Sequence, residues 1–179
     1  MFATIPSSGS AALGNIKYDC DCSGLFFVSS MDDGKIYRVD SSGTVLGGAW
    51  DHGANLPTAS PAAPAIVDTP TTEFTPLGRR VWGLKPHNGR LYYAVWWEDL
   101  SRPDAARANE IWSVEIDCKT GRLLKGTQVR EILLPPKAGT SYSNPVADIS
   151  FGPNGTMLLS ERSMYGDSSP SAHDSRMLE

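Results

Sequence analysis

Few side chains in this sequence are grouped in a way that could do chemistry. The run Trp96-Trp97-Glu98-Asp99 joins two indoles to two carboxylates, with Arg102 and Arg107 shortly after it. An indole can stack on a sugar ring or anchor a protein partner. The three histidines, His52, His87 and His173, invite catalysis, yet none sits in a Gly-x-Ser-x-Gly or His-Glu-x-x-His pattern. His52, in Trp50-Asp-His-Gly53, reads as a turn residue with a solvent-facing imidazole, and His87, in Pro86-His-Asn-Gly89, as structural. Asp32-Asp33-Gly34 and Asp19-Cys-Asp-Cys22 carry oxygens that calcium accepts. Neither has the alternating ligands and distal Glu of an EF-hand loop, so both read as plain turns. Cys20, Cys22 and Cys118 are too few for a disulfide scaffold, and Cys-x-Cys fits poorly with the four ligands of structural zinc. They read as free thiols or as one surface disulfide joining Cys20 or Cys22 to Cys118.

The elements that must position these groups follow a repeat. Three blocks align: Gly14–Asp19, Gly24–Ser30 and Lys35–Asp40; Arg80–Lys85, Arg90–Trp97 and Glu110–Asp117; Val146–Phe151, Thr156–Glu161 and Ser175–Glu179. Leu25, Leu91 and Met157 lead the middle segments at equal spacing. Each segment is short, rich in β-branched and aromatic residues, and bounded by turn residues, which predicts strands rather than helices. Tight turns separate the first two segments of each block: Asp19–Gly24, His87-Asn-Gly89 and Gly152-Pro-Asn-Gly155. Fourth strands are expected at Thr44–Leu46 and Thr127–Leu134. Four antiparallel strands per block, joined as a meander and repeated, make the blade of a β-propeller.

The expected architecture is therefore all-β, a propeller segment of about three four-stranded blades. Residues 1–13 hold the last strand of a preceding blade (Phe2–Ile5), 14–48 a blade, 49–79 a long inter-blade loop, 80–134 a blade, and 135–179 an incomplete blade. Three blades cannot close a ring, since propellers close with about four to eight. Either the chain is a fragment of a six- or seven-bladed ring, or two copies form one six-bladed homodimer, each donating its first strand to the other. Net charge is −4 and the longest basic run is Arg79-Arg80, which argues against a nucleic-acid groove. The longest apolar run, Leu91–Trp97, falls far short of the roughly 20 residues that span a bilayer, so membrane insertion is not expected. Met1–Pro6 lacks the basic start and apolar stretch of a signal peptide.

Loop lengths choose a face. In a meander, turns between strands one and two and between three and four share one face; the other connections share the opposite one. The first set is tight here, while the second includes Leu46–Arg79, Glu98–Asn109 and Arg162–Asp174. Length beyond hairpin need is where binding residues collect. That long-loop rim would carry Trp96, Trp97, Glu98, Asp99, Arg102, Arg107 and His173. Alternation puts the two indoles on opposite sheet faces, one packing between blades and the other reaching the rim. Trp82, Trp112, Tyr92 and Tyr93 read as core.

Asp33-Gly-Lys-Ile-Tyr-Arg-Val-Asp-Ser-Ser-Gly43 and Ile149-Ser-Phe-Gly-Pro-Asn-Gly-Thr-Met-Leu-Leu159 resemble blades of the NHL-repeat and gluconolactonase-like propellers. More closely, the chain is similar to large bacterial propeller proteins that are secreted or displayed at the cell surface. This resemblance implies an extracellular or cell-surface location and a binding or display module with a glycan or protein ligand. A structural spacer within a surface protein is a further reading. Gluconolactonase-like enzymes hold a divalent metal in the central channel with Glu, Asn and Asp side chains. The resemblance maps that role onto Asn15, Asp148 and Glu161, hard oxygen ligands of the kind Ca2+ takes, with a metal-dependent lactonase or hydrolase as the alternative function. The family's first Glu has no counterpart, since Phe2–Leu13 contains no acid.

Overall fold

A computed structural model of the 179-residue chain describes residues 2–6, 13–55, 75, 78–97, 108–140, 143–162 and 176–179. The protein is all-β, with three antiparallel sheets among the described residues, each a meander in chain order. The first sheet holds β1 (Leu13–Tyr18), β2 (Phe26–Ser30), β3 (Lys35–Val39) and β4 (Val45–Asp51). The second holds β5 (Arg80–His87), β6 (Arg90–Trp96), β7 (Glu110–Glu115) and β8 (Val129–Leu133). The third holds β9 (Val146–Phe151), β10 (Met157–Glu161) and β11 (Met177–Leu178).

Local chemistry sets the turns. Asn88 (φ 50°) and Gly89 (φ 73°) both take the left-handed backbone that a two-residue hairpin between β5 and β6 requires. Three other turns open with an aspartate whose carboxylate accepts backbone N–H groups just downstream: Asp19 from Ser23, Asp40 from Ser42 and Thr44, and Asp117 from Lys119. Such side chains hold a tight turn in place of a ladder hydrogen bond.

The sheets stack face to face, with the second in the middle. Alternation along β6 sends Leu91, Tyr93 and Val95 toward Phe27, Ile36 and Trp50 of the first sheet. Tyr92 and Ala94 point the other way, into a core with Val146, Ile149 and Leu159 of the third. The first strands of the three sheets, β1, β5 and β9, lie side by side. Small residues allow that approach. A Cβ at Gly14 would lie 2.6 Å from Ser29 Oγ and 3.3 Å from the Trp82 ring, and one at Gly83 would lie 3.1 Å from the Val146 carbonyl oxygen.

Two boundaries differ from expectation. β4 does not stop at Leu46; it continues to Asp51, pairing Trp50 with Ile36 and Asp51 with Lys35 after a register shift. Gly47-Gly48, which reads as a strand end, is a bulge, with Gly48 at φ 79°. The connection expected from residue 49 thus begins with strand and a short helix, α1 (His52–Asn55), capped by Asp51 Oδ1 on the Ala54 N–H. Phe2–Ile5, expected as a strand, belongs to none. It lies against the outer face of the first sheet, where Ala3 and Ile5 pack on Val28, Tyr37 and Val39.

Candidate functional site

The rim residues divide. Trp96 and Trp97 are 4% and 3% exposed, so neither indole is presented to solvent. The expectation that one reaches the rim gives way to hydrogen bonding: Trp97 donates its backbone N–H to Asn109 Oδ1 (2.7 Å) and its Nε1–H to Glu110 Oε2 (2.8 Å). Trp96 turns instead onto Trp82, with ring centroids 6.0 Å apart and planes 28° from parallel. Glu98, Asp99, Arg102, Arg107 and His173 lie outside the described residues.

His52 is a correction. Its imidazole is fully buried rather than solvent-facing, because α1 folds it back between the first two sheets. Nδ1 lies 3.0 Å from the Tyr93 hydroxyl, and the ring makes edge contacts with Tyr93, Trp97 and Trp112. Burial pushes the imidazole pKa down to about 3, so His52 is neutral at pH 7, and Nε2 has no hydrogen-bond partner among the described residues. Burial likewise raises the Tyr93 phenol. Glu110 is the polar centre of this core. One carboxylate oxygen accepts both the Trp97 and Trp112 indole N–H groups (2.8 and 2.7 Å), and the other pairs with Arg130 at 3.0 Å. Glu110 begins a strand, and nothing in its sequence neighbourhood marks it as a shared acceptor.

The residues named as metal ligands separate into two environments. Asn15 and Asp148 come together where β1 and β9 meet: Asn15 Nδ2 donates to Asp148 Oδ1 (3.1 Å) and to the Ala147 carbonyl (3.0 Å). Lys17, not foreseen from the sequence, places its ammonium 2.8 Å from the same Asp148 oxygen, which also accepts the Ile149 N–H at 3.0 Å. Glu161 is elsewhere. It is buried and held bidentately by Arg176 at 2.7 and 2.6 Å, an ion pair that ties β11 to the end of β10.

Beside Asn15 and Asp148 runs a stacked series that the sequence does not reveal. The Arg80 guanidinium lies over Trp96 (4.9 Å), Trp96 stacks on Trp82, and the Arg162 guanidinium lies over Trp82 (5.7 Å). Arg80 and Trp96 are buried, Trp82 is half-buried and Arg162 is exposed, so the series leads from the core to the surface. Arg80 and Trp82 open β5 and Arg162 follows β10, which puts all of them at the long-connection end. Ser29 Oγ ties the parts together, accepting the Asn15 N–H (2.8 Å) and donating to the Trp82 carbonyl (2.7 Å).

This cluster offers a half-buried indole, the Lys17 and Arg162 cations and a carboxylate with unused capacity. All three donors to Asp148 fall on Oδ1, and among the described residues Oδ2 and Asn15 Oδ1 have no partner. Calcium fits the set poorly. A divalent ion at Asp148 would compete with the Lys17 ammonium for the same carboxylate oxygen and be repelled by it. Among the described residues no three His, Cys, Asp or Glu side chains gather closely enough to hold a metal ion. Compared with known proteins, the chain matches no family model and no curated protein.

A disulfide joins Cys22 to Cys118, with Cα atoms 4.7 Å apart, and Cys20 is a free, exposed thiol. It links the β1–β2 turn to the β7–β8 turn at the end of the sheets away from the long connections.

Proposed function

We propose that the three sheets are blades of a β-propeller and that the chain is a binding module of an exported bacterial protein, with a glycan ligand seated where the innermost strands meet the long-loop rim. The observation that carries this reading is the line of groups along the inner strands, from Arg162 and Trp82 at the long-connection end through Asn15 and Asp148 to Lys17. Sugar hydroxyls donate and accept at once, which suits a carboxylate and an amide with spare acceptors beside ammonium and guanidinium donors. The half-buried Trp82 indole gives the apolar face of a pyranose a surface to rest on once the exposed Arg162 side chain over it swings aside. Meander order, face-to-face stacking and the adjacency of β1, β5 and β9 support the propeller geometry. The Cys22–Cys118 bond supports export, because disulfides persist in oxidising compartments. The lactonase-type reading would need Asp148 released from Lys17 and Glu161 released from Arg176.

The test is a screen of bacterial cell-wall and exopolysaccharide glycans, followed by calorimetric titration of any hit. Asp148→Ala and Arg162→Ala should each weaken binding at least tenfold with an unchanged melting temperature. The reading fails if no glycan binds above background, or if both variants bind like the parent. A rise of several degrees in melting temperature on adding Ca2+, lost in Asp148→Ala, would favour the metal-dependent alternative.

A further inference from the structure

The first strand of each sheet carries one more residue than the strand beside it, and always near its start. Leu13 pairs with Ser30 and Ile16 with Val28, so β1 takes three steps where β2 takes two. Val81 pairs with Val95 and Leu84 with Tyr93 in the second sheet. In the third, Val146 pairs with Glu161 and Asp148 with Ser160. Each extra residue makes a β-bulge, a feature that re-aims side chains and is over-represented beside functional sites. Asn15, Trp82 and Asp148, which belong to the proposed site, all lie at or next to one of these bulges.

The bulges interlock. Asn15 Nδ2 donates to the carbonyl of Ala147, the residue that the β9–β10 register skips. A Cβ at Gly83 would lie 3.2 Å from the Ala147 carbonyl carbon and from the Asp148 nitrogen, so β5 and β9 touch backbone to backbone. Between β1 and β5 the link is Ser29, 0% exposed and opposite the β1 bulge. Its hydroxyl accepts the Asn15 N–H at 2.8 Å and donates to the Trp82 carbonyl at 2.7 Å, joining the bulged segments of two sheets. Gly14 leaves room for it, since a Cβ there would lie 2.6 Å from Oγ.

The sheet repeat does not itself require this hydroxyl. The residue opposite the bulge in the second sheet, between Tyr93 and Val95, is Ala94, which packs in the aliphatic cluster with Val146, Ile149 and Leu159. One sheet therefore folds with a methyl group at the position where the other places a hydroxyl that reaches two residues of the site. A buried hydrogen-bonding group fixes direction as well as distance, which is how supporting residues hold a site in shape. We infer that Ser29 is a positioning residue: it holds the Asn15 amide and Trp82 in one relative pose, and the affinity of the site depends on that pose. The inference rests on the proposed glycan site for its ligand, but the pose can be read without one.

The experiment compares the full chain with Ser29→Ala and Gly14→Ala by two-dimensional NMR, and by calorimetric titration with the tightest-binding glycan of the screen. In Ser29→Ala the Asn15 backbone amide should exchange about a hundredfold faster, while the Leu91 and Val114 amides of the core stay within about tenfold of the parent. The Asn15 side-chain amide and Trp82 indole signals should move, and glycan affinity should fall about tenfold. Gly14→Ala keeps the hydroxyl but pushes it aside, and should move the same signals and weaken binding in the same way. Adding Ser29→Ala to Gly14→Ala should weaken binding no further, because both act through one oxygen. Parent-like Asn15 and Trp82 signals in Ser29→Ala, parent-like affinity, or additive losses in the double variant overturn the inference and leave the proposed function standing. If no glycan binds the parent, the proposed function falls, and the Asn15 and Trp82 signals alone decide whether Ser29 sets the pose.

Discussion

The two junctions between neighbouring sheets are built from different materials. Between the first and second, the core holds Trp50, Tyr93, Trp97 and Trp112 around two buried polar groups, His52 and Glu110, and a disulfide joins the turns at one end. Between the second and third, the buried cluster is aliphatic: Ala94, Ile111, Leu134, Val146, Ile149 and Leu159. Its polar fastening lies at one end, where Asn109 donates its backbone and side-chain N–H groups to the Ser143 hydroxyl and carbonyl, and Arg176 donates to the Pro135 carbonyl. Indole N–H groups and imidazole nitrogens demand partners in fixed directions, so the first junction admits few rearrangements. Methyl and methylene groups accept many packings of similar volume, so the second is specified mainly by shape. The first junction should resist sliding but fail sharply when a polar partner is lost; the second should lose stability in small steps.

That contrast can be broken most forcefully at Glu110. Glu110→Ala leaves two buried indole N–H groups without an acceptor and should cost about 3–5 kcal/mol by urea denaturation. A cost below about 1 kcal/mol would mean that the indoles find other acceptors and that the first junction is not polar-specified. Next is the disulfide. Its cysteines are 96 residues apart in sequence, and Cys22→Ser with Cys118→Ser should lower stability by about 2–4 kcal/mol. Under reducing conditions hydrogen exchange should quicken at the first junction before it does at the second.

His52 sharpens the comparison through pH. Its folded-state pKa, about 3, lies below the ordinary value of 6.5, so the neutral ring contributes stability that is complete above pH 6.5 and lost as pH falls toward 3. Each pH unit within that window should remove roughly 1 kcal/mol. His52→Asn, which keeps a side-chain partner for the Tyr93 hydroxyl, should flatten the stability profile between pH 6.5 and 5. An unchanged slope would place the proton elsewhere. The smallest effect belongs to the second junction: Leu159→Met, buried and volume-conserving, should cost less than about 1.5 kcal/mol.

Strand existence was legible because apolar alternation and Asp- or Asn-led turns are local signals. β9 spans the expected Val146–Phe151, and the Asn88-Gly89 hairpin forms where that dipeptide predicts it. The site was less legible. Asn15 and Asp148 were named through a family's metal site, but Lys17 binds the same carboxylate and changes its chemistry. The Arg80–Trp96–Trp82–Arg162 series joins residues from two adjacent strands to one beyond β10, and no local pattern records that contact. His52 misled because Asp-His-Gly carries turn chemistry; only the tertiary fold shows that the turn points inward.

The Cys22–Cys118 link sits at the opposite end from the long connections, and that placement has a consequence for change. Insertions, deletions or wholesale replacement between β6 and β7 or between β10 and β11 do not strain the covalent tie. The hairpin end acts as the hinge pin of the assembly, and the far end is left open to diversification. A lineage, or an experimenter grafting peptides, could rewrite those segments repeatedly while the sheets beneath them kept their relative pose.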